Sequence, residues 1–429
     1  MHELSKMIKD DMKPALGVTE PGAIAFAVAK ARSFTKGDIK KVNVAMNSGM
    51  YKNAFTCGIP NSNEVGNIFA AALGVVAGNA DKGLESLADV TPEDNVKAQE
   101  MIDQGKVTVE LSGITSRIFI EATVETEEDK AIVTIRDSHT NITKITVNDK
   151  VELETEDEKK TEEDGGEEEA HSIHKYTLQQ LYDYVTTVDI EEIRFINEAY
   201  KVNLELFHEG LENPRTTFAR QLLAINNGKE VSDDEQKTAS LMCNAAIEAR
   251  VIGLDKPAMS ITGSGAHGII ATMPLYAAYK VNGYTEEQLL RATALSYLVC
   301  MYIKEYSGRL SAFCGCAIAA GSGMACALVY LRGGTVEMMA HTLNNMASSI
   351  TGMICDGGNQ GCTMKGVAAV DAAYKSVEFA MNGIYISEVH GINGNTPEET
   401  MRNMGLIASP GMVGTEKTIV EIFEDKLKK

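Results

Sequence analysis

Positive charge is scarce in this chain. Its 40 Lys and Arg stand against 60 Asp and Glu, a formal net charge of −20 over 429 residues. Nucleic acid and anionic membranes both recruit basic surfaces, so neither is an expected partner. Long apolar runs are missing too: no run reaches eighteen apolar residues without charge, and no membrane-spanning helix is expected. The stretch Met1 to Asp11 carries charges where a secretory signal would have an apolar core. Trp does not occur at all, and that absence, like the presence of 20 Met, excludes no function. A cytoplasmic protein is the expectation. In that compartment the eight cysteines are expected as reduced thiols or metal ligands rather than disulfides.

What is present is ordinary in bulk: 44% hydrophobic and 23% charged residues, in a length that suits two domains or one large one. The acidity is unevenly spread. Glu152 to Glu169 holds 11 Asp and Glu against 2 Lys, a composition that stays solvated and serves as a linker. The domain boundary is placed there, giving a mixed domain over 1–170, whose acidic linker spans 152–170, and a second domain over 171–429. His171 and His174, at the end of the linker, are expected to face water.

Residues 1–12 have helical character, interrupted by Pro14. The turn Gly17-Val-Thr-Glu-Pro21 then opens an Ala-rich helix, with Thr19 as its N-cap and Pro21 at an early helical position. Lys41 to Asn47 alternates like a strand and leads into a loop from Ser48 to Asn61, which contains Cys57. A small-residue helix follows over Val65 to Gly78. Between 106 and 148 four segments alternate apolar with polar or β-branched residues, separated by turns. They read as an antiparallel meander with one solvated face. From Thr177 onward apolar residues recur every three or four positions, so the remainder is helical, with several helices apolar or small-sided all round and therefore central. The fold class expected is α+β: an N-terminal mixed domain with an antiparallel sheet and a larger all-helical C-terminal domain.

Chemistry concentrates in two segments. Ser307 to Gly321 contains Cys314-Gly-Cys316, and Ile354 to Lys365 contains Cys355 and Cys362, each pair set among glycines beside a long apolar run. Thiols on tight turns at the ends of buried elements hold soft metals or iron–sulfur clusters, although Cys also packs as a small hydrophobe. The spacings, one residue and six, match zinc ribbons poorly and suit a cluster better. Cys243, Cys300 and Cys326 lie in apolar helical contexts and are expected in the core. A third stretch, Met259 to Pro274, places Thr262, Ser264 and His267 between glycines before an apolar helix. Backbone N–H groups at such a start suit a carboxylate or phosphate, and His267 is a candidate acid or base, or packs. The stretch lacks the Gly-Lys-Ser/Thr ending of a P-loop. Arg309 can fork onto a carboxylate, and Asp356 and Lys365 can orient an anion.

Taken in order, Gly17-Val-Thr-Glu-Pro21, Lys52-Asn-Ala54 with Gly58-Ile-Pro60, Thr262-Gly-Ser-Gly-Ala-His-Gly268, Phe313 to Gly321 and Cys355-Asp-Gly357 with Gly361-Cys362 resemble a known family. It is the L-cysteine desulfidase group, related to the alpha region of iron–sulfur-dependent L-serine dehydratases, and the resemblance spans nearly the whole chain. It implies β-elimination from L-cysteine or L-serine to pyruvate, ammonia and sulfide or water, with a [4Fe–4S] cluster as Lewis acid and no pyridoxal phosphate. On this resemblance Cys355, with Cys314 or Cys316 and Cys362, are the candidate metal ligands. His267, Ser264 and Lys365 are the candidate catalytic residues, and Thr19, Glu20, Asn53, Thr262 and Arg309 the candidate substrate-binding ones.

One departure bears on all of this. The resembled family carries a ligand Cys where this chain has Val18, and valine cannot bind iron. Three outcomes stay open: a ligand set drawn from Cys314 or Cys316, Cys355 and Cys362; recruitment of Cys57; or loss of the cluster, leaving a protein that binds a small amino acid without lyase activity. The small-residue helix faces add a homodimer as an expectation.

Overall fold

The computed structural model describes residues 1–115, 117–155, 172–308 and 310–428. Arg309, His171 and the acidic segment beyond Thr155 therefore lie outside the described residues. The N-terminal part contains helices α1 (Glu3–Asp11), α2 (Thr19–Arg32), α3 (Ser48–Ala54), α4 (Asn67–Ala77) and α5 (Pro92–Asp103). Its strands are β1 (Lys13–Leu16), β2 (Ile39–Asn47), β3 (Val107–Gly113), β4 (Phe119–Thr126), β5 (Lys130–Arg136), β6 (Ile142–Val147) and β7 (Lys150–Glu154).

Six of these strands form one sheet in the order β3-β2-β4-β5-β6-β7. The alternation in the sequence becomes a burial pattern: Ile120, Ala122 and Val124 of β4 face the core, and the residues between them are half-exposed on the other face. β2 through β7 pair antiparallel apart from the edge, where β3 runs parallel to β2 because α3, α4 and α5 carry the chain back before β3 begins. α2 and α4 pack together on the apolar face, and both are built from Ala and other small residues that allow close approach.

The C-terminal part is helical as expected: α6 (Leu178–Thr187), α7 (Ile190–Ile193), α8 (Asn197–Glu212), α9 (Phe218–Ile225), α10 (Glu235–Val251), α11 (Gly265–Asn282), α12 (Glu286–Ser307), α13 (Gly321–Leu331), α14 (Val336–Ile350), α15 (Gly361–Met381), α16 (Pro397–Leu406) and α17 (Val413–Leu427). α10 is buried continuously from Thr238 to Val251, and α11 and α12 are nearly so, which makes them the central layer. Threonine capping boxes start α6 and α12, where Thr177 and Thr285 exchange bonds with Gln180 and Gln288. No helix among the described residues is long and apolar enough to cross a membrane.

Long-range contacts tie the two parts together. β1 pairs antiparallel with β8 (Pro257–Ser260), the one strand among the described residues of the helical part, so Lys13 to Leu16 meets the residues leading into α11. At the other end of the chain α17 packs on α3. There Phe55 stacks on Phe423 at 4.5 Å, and Lys52 pairs with Glu416 at 2.7 Å.

Three local expectations need correction. Thr19 is the first residue of α2, not its cap: Val18 takes the cap position without a side-chain bond, and the Thr19 hydroxyl donates to Glu20 at 3.0 Å. The stretch after β2 opens as α3, not as loop. His174 does not simply face water, because its ring stacks on Tyr306 at 3.7 Å and bonds the Tyr302 carbonyl at 3.0 Å.

Candidate active site

The two cysteine segments are hydrogen-bonded to each other. The Cys314 N–H donates to the Met353 carbonyl at 2.9 Å, and the Cys355 N–H donates to the Ala312 carbonyl at 2.6 Å. This short antiparallel bridge, centred on Phe313 and Ile354, brings stretches forty residues apart to one place. Beyond it the chain runs through a π-helical turn, Cys316–Ala320, into α13, an irregularity that recurs at functional sites. After Cys355 the turn Gly357-Gly358 lies against α3, and the Gly358 N–H donates to the Asn53 carbonyl at 3.0 Å.

These elements enclose a cavity of about 80 Å³, room for several waters or one small polar molecule. Cys316, Cys355 and Cys362 open on it, together with Val18, Glu20, Asn53, Thr262, Ser264 and His267. Cleft volume alone would favour an open groove of about 590 Å³ lined by Asn61, Asn95 and Arg215, but none of the singled-out motifs reaches it. Convergence of chemistry selects the smaller cavity.

Cys314 lies just behind the wall, its Sγ 3.3 Å from that of Cys316. Its thiol hydrogen bond favours charge on Cys316 and lowers that thiol below its ordinary value, against burial and with help from Lys365. Cys355 turns towards the Asn53 side-chain oxygen at 3.9 Å, and Cys362 donates to the Gly357 carbonyl at 3.4 Å. Cys57 is fully buried and bonded to the Ala54 carbonyl, and burial holds its thiol protonated. Cys243, Cys300 and Cys326 are core residues, and all eight cysteines are free.

His267 sits in the first turn of α11 rather than in a loop before it. The Thr262 hydroxyl donates to the Ile261 carbonyl at 2.7 Å, so its lone pair faces His267 Nδ1 at 2.5 Å. With the hydroxyl proton on that carbonyl, Nδ1 is the protonated nitrogen and Nε2 the acceptor. Burial, with Lys304 and Arg250 as nearby cations, pushes His267 well below its usual value and keeps it neutral. Thr262 itself is left-handed at φ 51°, with its N–H on the Asp11 carboxylate. Ser264 caps α11 by position, and its side chain makes no cap bond.

Glu20 accepts from Asn53 at 2.9 Å and from Thr19 at 3.0 Å, and His139 stands 3.7 Å away. Burial would raise its pKa, but His139, Asn53 and Arg250 outweigh that and hold it at about 2, an ionised carboxylate. Lys365 is set apart: its ammonium pairs with Asp356, and it does not line the cavity.

Sequence reasoning missed three lining residues, Arg250, Lys304 and His139. Arg250 and Lys304 carried little signal, since each shares its helix with a second cation, Lys237 on α10 and Arg291 on α12, and with several carboxylates. His139, on a turn between β5 and β6, carried none.

The donor set fits an iron–sulfur cluster in kind, because three thiols open on one cavity and Cys316 is biased towards the thiolate that binds metal. Among the described residues no three His, Cys, Asp or Glu side chains surround a common point as a metal ion needs. Each thiol is turned instead to the local partner described above. At the position of the resembled family's remaining ligand, Val18 is buried, and its Cγ1 lies 2.7 Å from where a Cβ on Gly358 would stand.

Comparison with known proteins shows the family. The serine dehydratase alpha chain family matches residues 81–421, and the chain belongs to it. At full length it is 40% identical to a UPF0597 protein of Clostridium botulinum (strain Hall), covering 98% of both chains. It is 37% identical to one of Caldanaerobacter subterraneus over 99% of this chain and 98% of that protein. A UPF0597 protein of Bacteroides fragilis is 33% identical, with 99% and 98% covered.

Proposed function

We propose that the chain is a β-eliminating lyase acting on a small L-amino acid, L-serine or L-cysteine, and releasing pyruvate and ammonia with water or sulfide. The observation that carries this reading is the meeting of three thiols and a neutral, oriented His267 in one cavity of a serine dehydratase alpha-chain protein. Glu20, ionised and facing the cavity, suits the substrate ammonium. His267 Nε2 is the group to accept the α-proton, with Thr262 fixing the tautomer that makes this possible. Cys316, Cys355 and Cys362 would hold a cluster, which when bound supplies a Lewis acid for the departing hydroxide or sulfide.

A second reading is favoured by one observation, Val18 packed against Gly358 where the resemblance expects a ligand. On that reading the cavity binds a small amino acid without turnover. Anaerobic purification, assay of iron and acid-labile sulfide, and measurement of pyruvate from L-serine and L-cysteine separate the two. Iron-loaded protein that releases pyruvate from either amino acid supports the lyase. Protein that binds the amino acids, takes up no iron on reconstitution and yields no pyruvate supports the binder.

A further inference from the structure

We infer that Arg250 and the first turn of α11 form an anion seat for the carboxylate of a small amino acid, an inference that rests on reading the cavity as the substrate site. Arg250 belongs to central helix α10 and is only 4% exposed. Its Nε is buried with no hydrogen-bond partner, and among the described residues no carboxylate lies within ion-pair distance of its guanidinium. Buried charges are ordinarily paired, since leaving water costs several kcal/mol per ion. An Arg that is buried, unpaired and on a cavity wall has its partner missing, and that partner is an anion entering the cavity.

The second half of the seat is independent of Arg250. α11 is 18 residues long, and its Ser264 cap gives no side-chain bond, so the N–H groups of its first turn keep their capacity to donate. Gly263, Ser264, Ala266 and His267 of this turn line the same cavity. Gly265 lets the two halves meet, because a Cβ there would stand 2.7 Å from Arg250 Nε. A planar guanidinium fork beside a helix N-terminus matches a carboxylate.

Charge and size choose among anions. Glu20, ionised in the same cavity, repels a dianion such as phosphate and attracts an ammonium. A guanidinium and an ionised carboxylate lining one cavity describe the complement of a zwitterion, and about 80 Å³ restricts it to a small one. Arg250 and the α11 turn would therefore hold the α-carboxylate, with the amino group towards Glu20.

Calorimetry and thermal shift with L-serine, L-cysteine, L-serinamide and inorganic phosphate test this on the wild type, R250Q and G265A. The expected result is binding of at least one of the two amino acids, none of L-serinamide, and a Kd at least about tenfold higher in both variants, the scale of one charge-assisted hydrogen bond. Ligand-free R250Q should lose little melting temperature, because the group removed has no hydrogen-bond or ion-pair partner and acts on Glu20 only at longer range; a structural Arg would show a large drop. G265A keeps Arg250 and displaces it, which guards against a variant that fails to fold. Equal binding by R250Q and wild type, equal binding of amide and acid, tighter binding of phosphate, or no binding of either amino acid would each overturn the seat. Because the readout is binding, protein that yields no pyruvate but loses the amino acid in R250Q retires the lyase and leaves the seat standing.

Discussion

His267 Nε2 lies 2.8 Å from where a Cβ on Gly315 would stand, so the imidazole of one motif rests directly on the middle residue of Cys314-Gly-Cys316. Only a residue without a side chain fits there, and the glycine sets how closely the imidazole approaches the thiols. Gly315→Ala should push the ring off its Thr262 partner and lower turnover by about 10- to 100-fold, the cost of roughly 1 Å of misplacement. The melting temperature should fall only modestly, since Lys304 Cδ, the other near neighbour at 3.1 Å, belongs to a flexible chain. Pyruvate release alongside a melting curve decides it. Unchanged turnover would remove His267 from the chemistry.

Glu20 makes acid stability a readout of the site. Its folded pKa of about 2 lies below the ordinary 4.5, so the unfolded chain takes up the proton first as pH falls. Its contribution is fully present above pH 4.5 and is lost between there and about 2. Glu20→Gln should therefore cost up to about 3 kcal/mol at neutral pH, and the gap to wild type should close as the pH drops through that window. Urea titrations at stepped pH measure both. A gap independent of pH would mean that Glu20 acts through packing alone.

What the residues disclosed in order, and what they withheld, follows from the range of the forces involved. Alternation in 106–148 is a local pattern and gave the meander; the Cys-Gly-Cys segment and the turn before Cys362 were recognisable from thiols among glycines. The α+β division and the helical C-terminal part followed from periodicity in the same way. The pairing of β1 with β8 and the packing of α17 on α3 leave no local period, because the partners lie hundreds of residues apart. Arg250, Lys304 and His139 were hidden for a related reason. Each looks ordinary in its own element and becomes a site residue only when α10, α12 and the β5–β6 turn converge.

Lys52 and Glu416 illustrate how such a distant contact holds the site. Lys52 has a fully buried side chain, pairs with Glu416 at 2.7 Å and donates to the Ser311 carbonyl at 2.9 Å, on the cavity rim. Removing one partner strands the other charge in the interior, so Lys52→Met should cost about 3–5 kcal/mol. Replacing both, as K52M/E416L, should recover a good part of that, because two apolar side chains of similar volume avoid desolvation altogether. Chemical denaturation of the two variants is the check. A double variant as unstable as the single one would show that the Ser311 bond, not the charge, is what matters.

Val18 stands where the resembled family carries a ligand Cys. It occupies the cap position of α2, is 2% exposed and stands against Gly358, in the turn between Cys355 and Cys362. A thiol in its place would face the same cavity as Cys316 and Cys355, adding a donor where the wall is now apolar. Val18→Cys should therefore raise the iron and acid-labile sulfide retained after anaerobic reconstitution, with the broad visible absorbance of a cluster appearing or strengthening. The stability cost should be small, about 1 kcal/mol, since a thiol fills most of the volume of the two methyls. Iron content rising together with pyruvate release would show that the remaining machinery, His267 with Glu20 and the three native thiols, is intact and waiting on one ligand. Iron rising without pyruvate would show that this chain has moved from elimination to binding. No rise at all would mean that the local partners of Cys316, Cys355 and Cys362 hold the thiols apart more firmly than a cluster can draw them together.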